Sequence, residues 1–186
     1  LPEDAGLFHH LHQVGRGAQA MITAEIEGLG SNLIFVYPGT LQGEGGVQQA
    51  SGSTQTLTYE DALALADSSS CPSVAAVAPE VSTGAQIVYQ AENVHARISG
   101  VTPEYAQVRN YKVASGEFFS PSQVAGRSLV AVLGANIATT LFGEQDPLGQ
   151  TVRVQQAFLT VIGVLAPKGQ TASGKDQDDA VIVPLR

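Results

Sequence analysis

A chain of 186 residues with 44% hydrophobic side chains holds enough apolar material for one domain, or two small subdomains sharing a core, which excludes disorder throughout. Nine Lys and Arg against 17 Asp and Glu leave a formal net charge of -8. That balance repels phosphate backbones and anionic headgroups and argues against a nucleic-acid partner. The single cysteine, Cys71, excludes an internal disulfide framework and a cysteine-only zinc site.

No stretch approaches the roughly 18 to 20 apolar residues of a membrane-spanning helix, and the first residues lack the basic-then-apolar layout of a signal peptide. Beyond Gln13, Met21, Ile22, Ile26 and Leu29 give Ala18 to Leu29 a partial helical face, closed by Gly28 and Gly30. Asn32 to Pro38 is apolar and rich in β-formers, and predicts a strand ended by Pro38-Gly39. Thr40 to Gln55, rich in Gly, Gln and Ser, predicts a mobile loop. Thr58-Tyr-Glu-Asp61 is a capping-box start for a short helix through Ala66, stopped by Ser68-Ser-Ser70 and Pro72.

Three strands are then expected at Val74 to Ala78, Ala85 to Ala91 and Val94 to Ser99. Thr102-Pro103 predicts a helix start running to Val108, because proline is tolerated in a first helical turn. Gly116-Glu-Phe-Phe119 reads as a turn and Ser128 to Leu133 as a buried strand. Gly134 to Phe142 reads as a helix with Ile137, Leu141 and Phe142 inward, ended by Gly143 and kept from resuming by Pro147. Thr151 to Val154 and Ala157 to Leu165 predict a hairpin across Gln155-Gln156, and Ala180 to Pro184 a last strand. The nearly unbroken apolar run of Phe158 to Leu165 suits burial on both faces, with Ile162 at its centre.

Signals of chemistry are weak. Gly169-Gln-Thr-Ala-Ser-Gly-Lys175 has the glycine and lysine spacing of a phosphate-binding loop. The hydroxyl that would hold magnesium is replaced by Asp176, however, and the following residues predict a strand where a helix N-terminus is needed. His9, His10 and His12 are metal-ligand types, but adjacent side chains near a chain end diverge and read as an exposed segment. Asp176, Asp178 and Asp179 lack the spaced oxygens and distal Glu of a calcium loop and read as solvated. Cys71 with His95 is the one nucleophile and base pairing away from the N-terminus, and no local motif supports it. Phe118 and Phe119 read as one core residue and one partly covered neighbour, with Phe119 the candidate partner contact.

The order Leu29-Gly-Ser-Asn-Leu-Ile-Phe-Val-Tyr-Pro-Gly39, then Ser128-Leu-Val-Ala-Val-Leu-Gly134, Leu141-Phe-Gly143, Asp146-Pro-Leu-Gly149 and Phe158 to Leu165 resembles the extracytoplasmic core domain of MacB-type ATP-binding-cassette permeases. Matched structural positions are Leu29, Gly30, Asn32, Pro38 and Gly39 early on, and Gly116 with Phe118 midway. Gly134, Leu141, Phe142, Gly143, Pro147 and Gly149 follow, then Ile162, Gly163 and Val164.

The resemblance implies an α+β domain in which residues 31–93 and 158–186 form a βαβ-type subdomain and 94–157 an inserted smaller one. Residues 18–30 would be a helix leading from the first membrane helix, and 1–17 fall outside the match. It further implies a domain without catalysis or cofactor of its own, outside the cell membrane, that conveys ATP-driven movement outward for export or signalling. Its partners would be a second permease copy, a cytoplasmic ATP-binding domain and, in some relatives, a periplasmic adaptor. A stand-alone extracytoplasmic module binding a small ligand or peptide is the alternative.

Overall fold

The computed structural model describes residues 33–38, 57–170 and 176–185. The helix expected over residues 18–30, the loop over 40–55, the three N-terminal histidines, and Leu29, Gly30, Asn32 and Gly39 lie outside them.

Among the described residues, regular structure begins with helix α1, Tyr59–Ala66, at the expected capping box: Thr58 Oγ1 accepts from the Asp61 amide while Asp61 Oδ2 accepts from the Thr58 amide. Strands β1 (Glu80–Tyr89) and β2 (Glu92–Val101) follow as a long antiparallel hairpin, paired from Glu80 opposite Val101 to Tyr89 opposite Glu92. Gln90, at φ 52°, turns the chain between them. After β2 come α2 (Glu104–Val108), β3 (Val113–Gly116), α3 (Pro121–Ala125), β4 (Val130–Leu133) and α4 (Ala135–Phe142). The hairpin β5 (Thr151–Val154) and β6 (Ala157–Leu165) turns at Gln155-Gln156 as its sequence predicts, and β7 is Ala180–Pro184.

The sheet runs β3-β6-β4-β7-β2-β1-β5, with β2 and β7 parallel, β4 and β6 parallel, and the other neighbours antiparallel. Because β5 pairs with β6 as well as with β1, the strands β6, β4, β7, β2, β1 and β5 close into a ring, and β3 lies along the C-terminal part of β6. Side chains from all six ring strands meet in one apolar cluster, which is therefore the interior of the ring: Ile87, Ile98, Leu133, Val152, Val161 and Val181 are each 8% exposed or less.

Helix α4 completes that interior. Ile137, Ala138, Leu141 and Phe142 recur at helical spacing and are all buried, Phe142 packing on Tyr89 with ring centroids 4.2 Å apart. Burying a side chain of this size stabilises by about 1.5–3 kcal/mol. Outside the ring, the opposite faces of β2, β4, β6 and β7 carry a second cluster of Val101, Val132, Leu165 and Ile182, covered by Tyr105, Tyr111 and Phe119.

Several expectations change. Residues 33–38 form no strand among the described residues, and Ile34 and Tyr37 are 87% and 77% exposed. Val74 to Ala78 is likewise non-strand, with Val74 exposed. β-Forming side chains make a strand only where a partner supplies hydrogen bonds and burial. The expected division into two subdomains does not follow the sheet, because its seams at 93/94 and 157/158 fall inside β2 and β6. Continuous pairing of β2 with both β1 and β7 joins the two portions.

Two short elements were missed: β3, and α3, whose Ser120-Pro-Ser-Gln123 start is itself a capping box with proline at its N-terminus. β6 is not buried on both faces throughout, since Phe158 is 61% exposed and Ile162 only partly covered.

Candidate functional site

Of the described glycines singled out in the sequence, Gly116, Gly134 and Gly163 hold the places where chain crosses chain. The β3 end and the loop after it pass directly over β6: the Glu117 amide donates to Ile162 O at 2.9 Å, and a Cβ on Gly163 would lie 2.3 Å from Glu117 O. Gly116, at φ +75°, faces Ile162 O from the other side. Gly134 plays the same part at the start of α4, where its amide donates to Ala180 O and a Cβ would lie 2.2 Å from Asp178 O. Only a residue without a side chain permits these approaches. Gly143 and Gly149 are different, with open space around them and φ of +59° and +75°: they end α4 and turn the chain into β5.

Of the remaining matched positions, Leu141 and Phe142 fill the ring, and Val164 packs against it. Phe118 and Ile162 are partly buried on the outer face, and Pro147 sits in the turn where Asp146 Oδ1 accepts from the Leu148 amide. Pro38 is partly covered. Phe119 is corrected from a partner contact to a core residue: it is 2% exposed, with its ring 4.4 Å from that of Phe118. The turn after β3 aims it inward because the crossing over Gly163 fixes the backbone there.

The polar chemistry gathers on the outer face of β2. Alternation along that strand puts Ala96 and Ile98 in the ring and Arg97 and Ser99 outside. Ser99 is fully buried and its hydroxyl donates to Glu80 Oε1 at 2.7 Å. Above them, Tyr105 and Tyr111 stack with centroids 5.8 Å apart. Burial pushes both phenols above their ordinary pKa; Glu80 adds to the rise at Tyr105, while Arg109 and Arg97 oppose it at Tyr111.

Lys168 reaches in from the end of β6, its ammonium donating to Arg109 O and lying 4.7 Å from the Tyr111 ring centroid. Burial, then the Arg109 charge, lowers its pKa, and Asp178 partly offsets them.

Asp178 is a further correction. The sequence read it as part of a solvated, mobile loop, yet Asp178 and Gln177 are 6% and 7% exposed. The Asp178 carboxylate accepts from the amides of Lys168 and Gly169 at 2.8 and 2.9 Å, tying the exit of β6 to the entry of β7. Asp176 accepts from the Asp178 amide and from Asn136 Nδ2. Asp176 and Asp178 are thus spent on local bonds, and among the described residues no group of three or more His, Cys, Asp or Glu is placed to hold a metal. Residues 176–179 lead into β7, where a phosphate-binding loop would open a helix. His95 is exposed on β2, its ring against Gly84, and Cys71 is partly buried after α1. No helix among the described residues is long and apolar enough to cross a membrane.

A ring of strands plugged by a helix and stitched by glycine crossings defines a mixed helix-and-strand domain built around one closed sheet. The MacB-like periplasmic core domain family matches residues 12–186, and the chain belongs to that family. It is 37% identical over 173 residues to the macrolide export ATP-binding/permease protein MacB of Syntrophobacter fumaroxidans, covering 92% of this chain and 24% of that protein. It is 40% identical over 174 residues to the protein of the same description from an Azoarcus species, covering 92% and 25%. The chain therefore spans about a quarter of the length of these relatives.

Among solved structures, the periplasmic region of MacB from Actinobacillus actinomycetemcomitans superimposes with a TM-score of 0.69 at 25% identity, over 86% of this chain and 67% of that one. The extracellular domain of the ABC-type transporter YknZ from Gram-positive bacteria shares the fold, with a TM-score of 0.58 at 23% identity over 69% and 62% of the two chains. The family places such a domain on the extracytoplasmic side of a membrane protein.

Proposed function

We propose that this chain is the extracytoplasmic domain of an ATP-binding-cassette permease that carries the movement driven by cytoplasmic ATP hydrolysis to the outside, for export or for signalling, with no catalysis of its own. The observation that carries this reading is identity of 37–40% across 92% of the chain with proteins described as macrolide export ATP-binding/permease proteins, of which it forms about a quarter. The rest of such a protein supplies the ATP-binding domain and the membrane helices. A second copy of the permease faces this one, and a periplasmic adaptor is the further partner.

The fold suits transmission of force. A ring closed by β5 has few free edges at which to deform, and the glycine crossings lock β3 and α4 to it. Displacement at either end then moves the whole body.

The test is made in the full-length protein. Excising residues 57–185 in favour of a short flexible linker should leave nucleotide binding by the ATP-binding domain intact and abolish export of its substrate. Undiminished export by the excised protein would overturn the reading.

A further inference from the structure

We propose that the outer face of β2, between Arg97, Arg109 and Lys168, is a binding site for a single carboxylate group. Three of the nine basic residues of an acidic chain gather around Tyr111, where the Arg109 and Arg97 charges act on the phenol and the Lys168 ammonium lies over the ring, and all three are partly buried. The contacts these cations make among the described residues do not neutralise them. Lys168 meets the Arg109 carbonyl and the Tyr111 ring, and the Arg109 guanidinium lies 5.2 Å from the Phe35 centroid.

The two carboxylates that act on the cluster are already engaged, Asp178 by the Lys168 and Gly169 amides and Glu80 by the Ser99 hydroxyl. Like charges held together in a partly dry setting cost free energy until an anion joins them.

Unmade hydrogen bonds point to the same place. Among the described residues, Nε of Arg97, Nε of Arg109 and the hydroxyl of Tyr111 are buried without a partner, and Tyr111 as a whole is only 7% exposed. Each can donate, and a buried donor left unpaired forfeits the hydrogen bond that water supplied in the unfolded chain. Water would satisfy the donors but leave the charge repulsion in place; a carboxylate answers both.

The charge count selects the ligand. Among the described charges that act around Tyr111, Arg97, Arg109 and Lys168 stand against Glu80 and Asp178, a balance that suits a monoanion better than a phosphate dianion. The stacked tyrosine rings lie beside these donors, and their apolar faces suit the small planar group.

The carboxylate can come from a free small acid or from an Asp or Glu side chain of a protein segment, and the experiment separates these. The 186-residue chain is titrated at constant ionic strength with sodium acetate, with inorganic phosphate, and with a short blocked peptide carrying one glutamate, following amide shifts of Lys168 and Gly169 and the Tyr111 ring signals. Saturable shifts with acetate are expected, accompanied by a rise in the Lys168 ammonium pKa, and binding weakened tenfold or more in Lys168→Met. Tyr111→Phe, which keeps the ring and removes only the hydroxyl, should weaken binding severalfold and provides the check if Lys168→Met fails to fold. Tighter binding of the peptide than of acetate assigns the site to a protein partner, and the reverse assigns it to a small acid. Linear shifts that never saturate with either carboxylate, phosphate binding as tight as acetate, or unchanged affinity in both variants would each overturn the proposal.

Discussion

Gly163 shows how little room a single residue can have. Its missing Cβ is replaced in space by the backbone of Glu117, so Gly163→Ala must push main chain against main chain, where no rotamer change relieves the contact. We expect destabilisation at the upper end of the roughly 1–3 kcal/mol typical of overpacking, read from urea unfolding. A loss below half a kcal/mol would mean that the β3 crossing is free to lift.

Tyr105 makes a prediction in alkali. Its folded-state pKa is raised, chiefly by burial and then by Glu80, above the value of about 10 for an unfolded tyrosine. Between those two pKa values the folded chain holds the proton that the unfolded chain has lost, so stability falls as pH rises above about 10. Tyr105→Phe removes this dependence. Unfolding free energies measured from pH 8 to 11 should therefore decline less steeply for the variant than for the parent; parallel curves would show that the phenol is not held neutral.

At the scale of the element, β6 deserves its central place for a reason the apolar run does not disclose. Ala131 and Val132 of β4 pair with Val161 and Gly163 of β6, leaving Ile162 as an extra residue in a bulge. The bulge exchanges faces: Leu159 and Val161 point into the ring, then Val164 does so, while Ile162 and Leu165 join the outer cluster. One strand thereby serves both clusters, with Ile162 at the switch and only partly covered.

A loss of about 2–5 kcal/mol, the usual range for Ile or Leu to Ala in a core, belongs to Leu165→Ala, since Leu165 is 1% exposed. Ile162→Ala should cost less, about 1–2 kcal/mol, because part of its side chain already meets solvent. Equal losses in the two variants would mean that Ile162 is covered in solution.

The whole molecule carries a net charge of -8, and free copies repel one another. In the permease proposed above, membrane helices would hold two copies at an effective concentration of about millimolar, so an interface too weak to survive dilution could still work. The isolated chain is expected to sediment as a monomer at micromolar concentration, with any self-association strengthening as salt rises. A stable dimer at low ionic strength would sink the tethering argument.

Local chemistry was legible from the sequence alone. The Thr58 and Asp61 capping box, the turn at Gln155-Gln156, the inward residues of α4 and the turn glycines Gly143 and Gly149 all depend on neighbours within a few residues, and the structure keeps them. Motif order pointed to the family. Tertiary structure decided the rest. Ring closure by β5, the joining of residues on either side of 93/94 in one sheet, the burial of Phe119 and Asp178, and the gathering of Arg97, Arg109 and Lys168 all bring together residues distant in the chain. An extended apolar segment such as 33–38 or 74–78 carries the same local signal as β7, yet only β7 sits between two strands. A strand is a property of a pair, and half of every pair lies elsewhere in the chain.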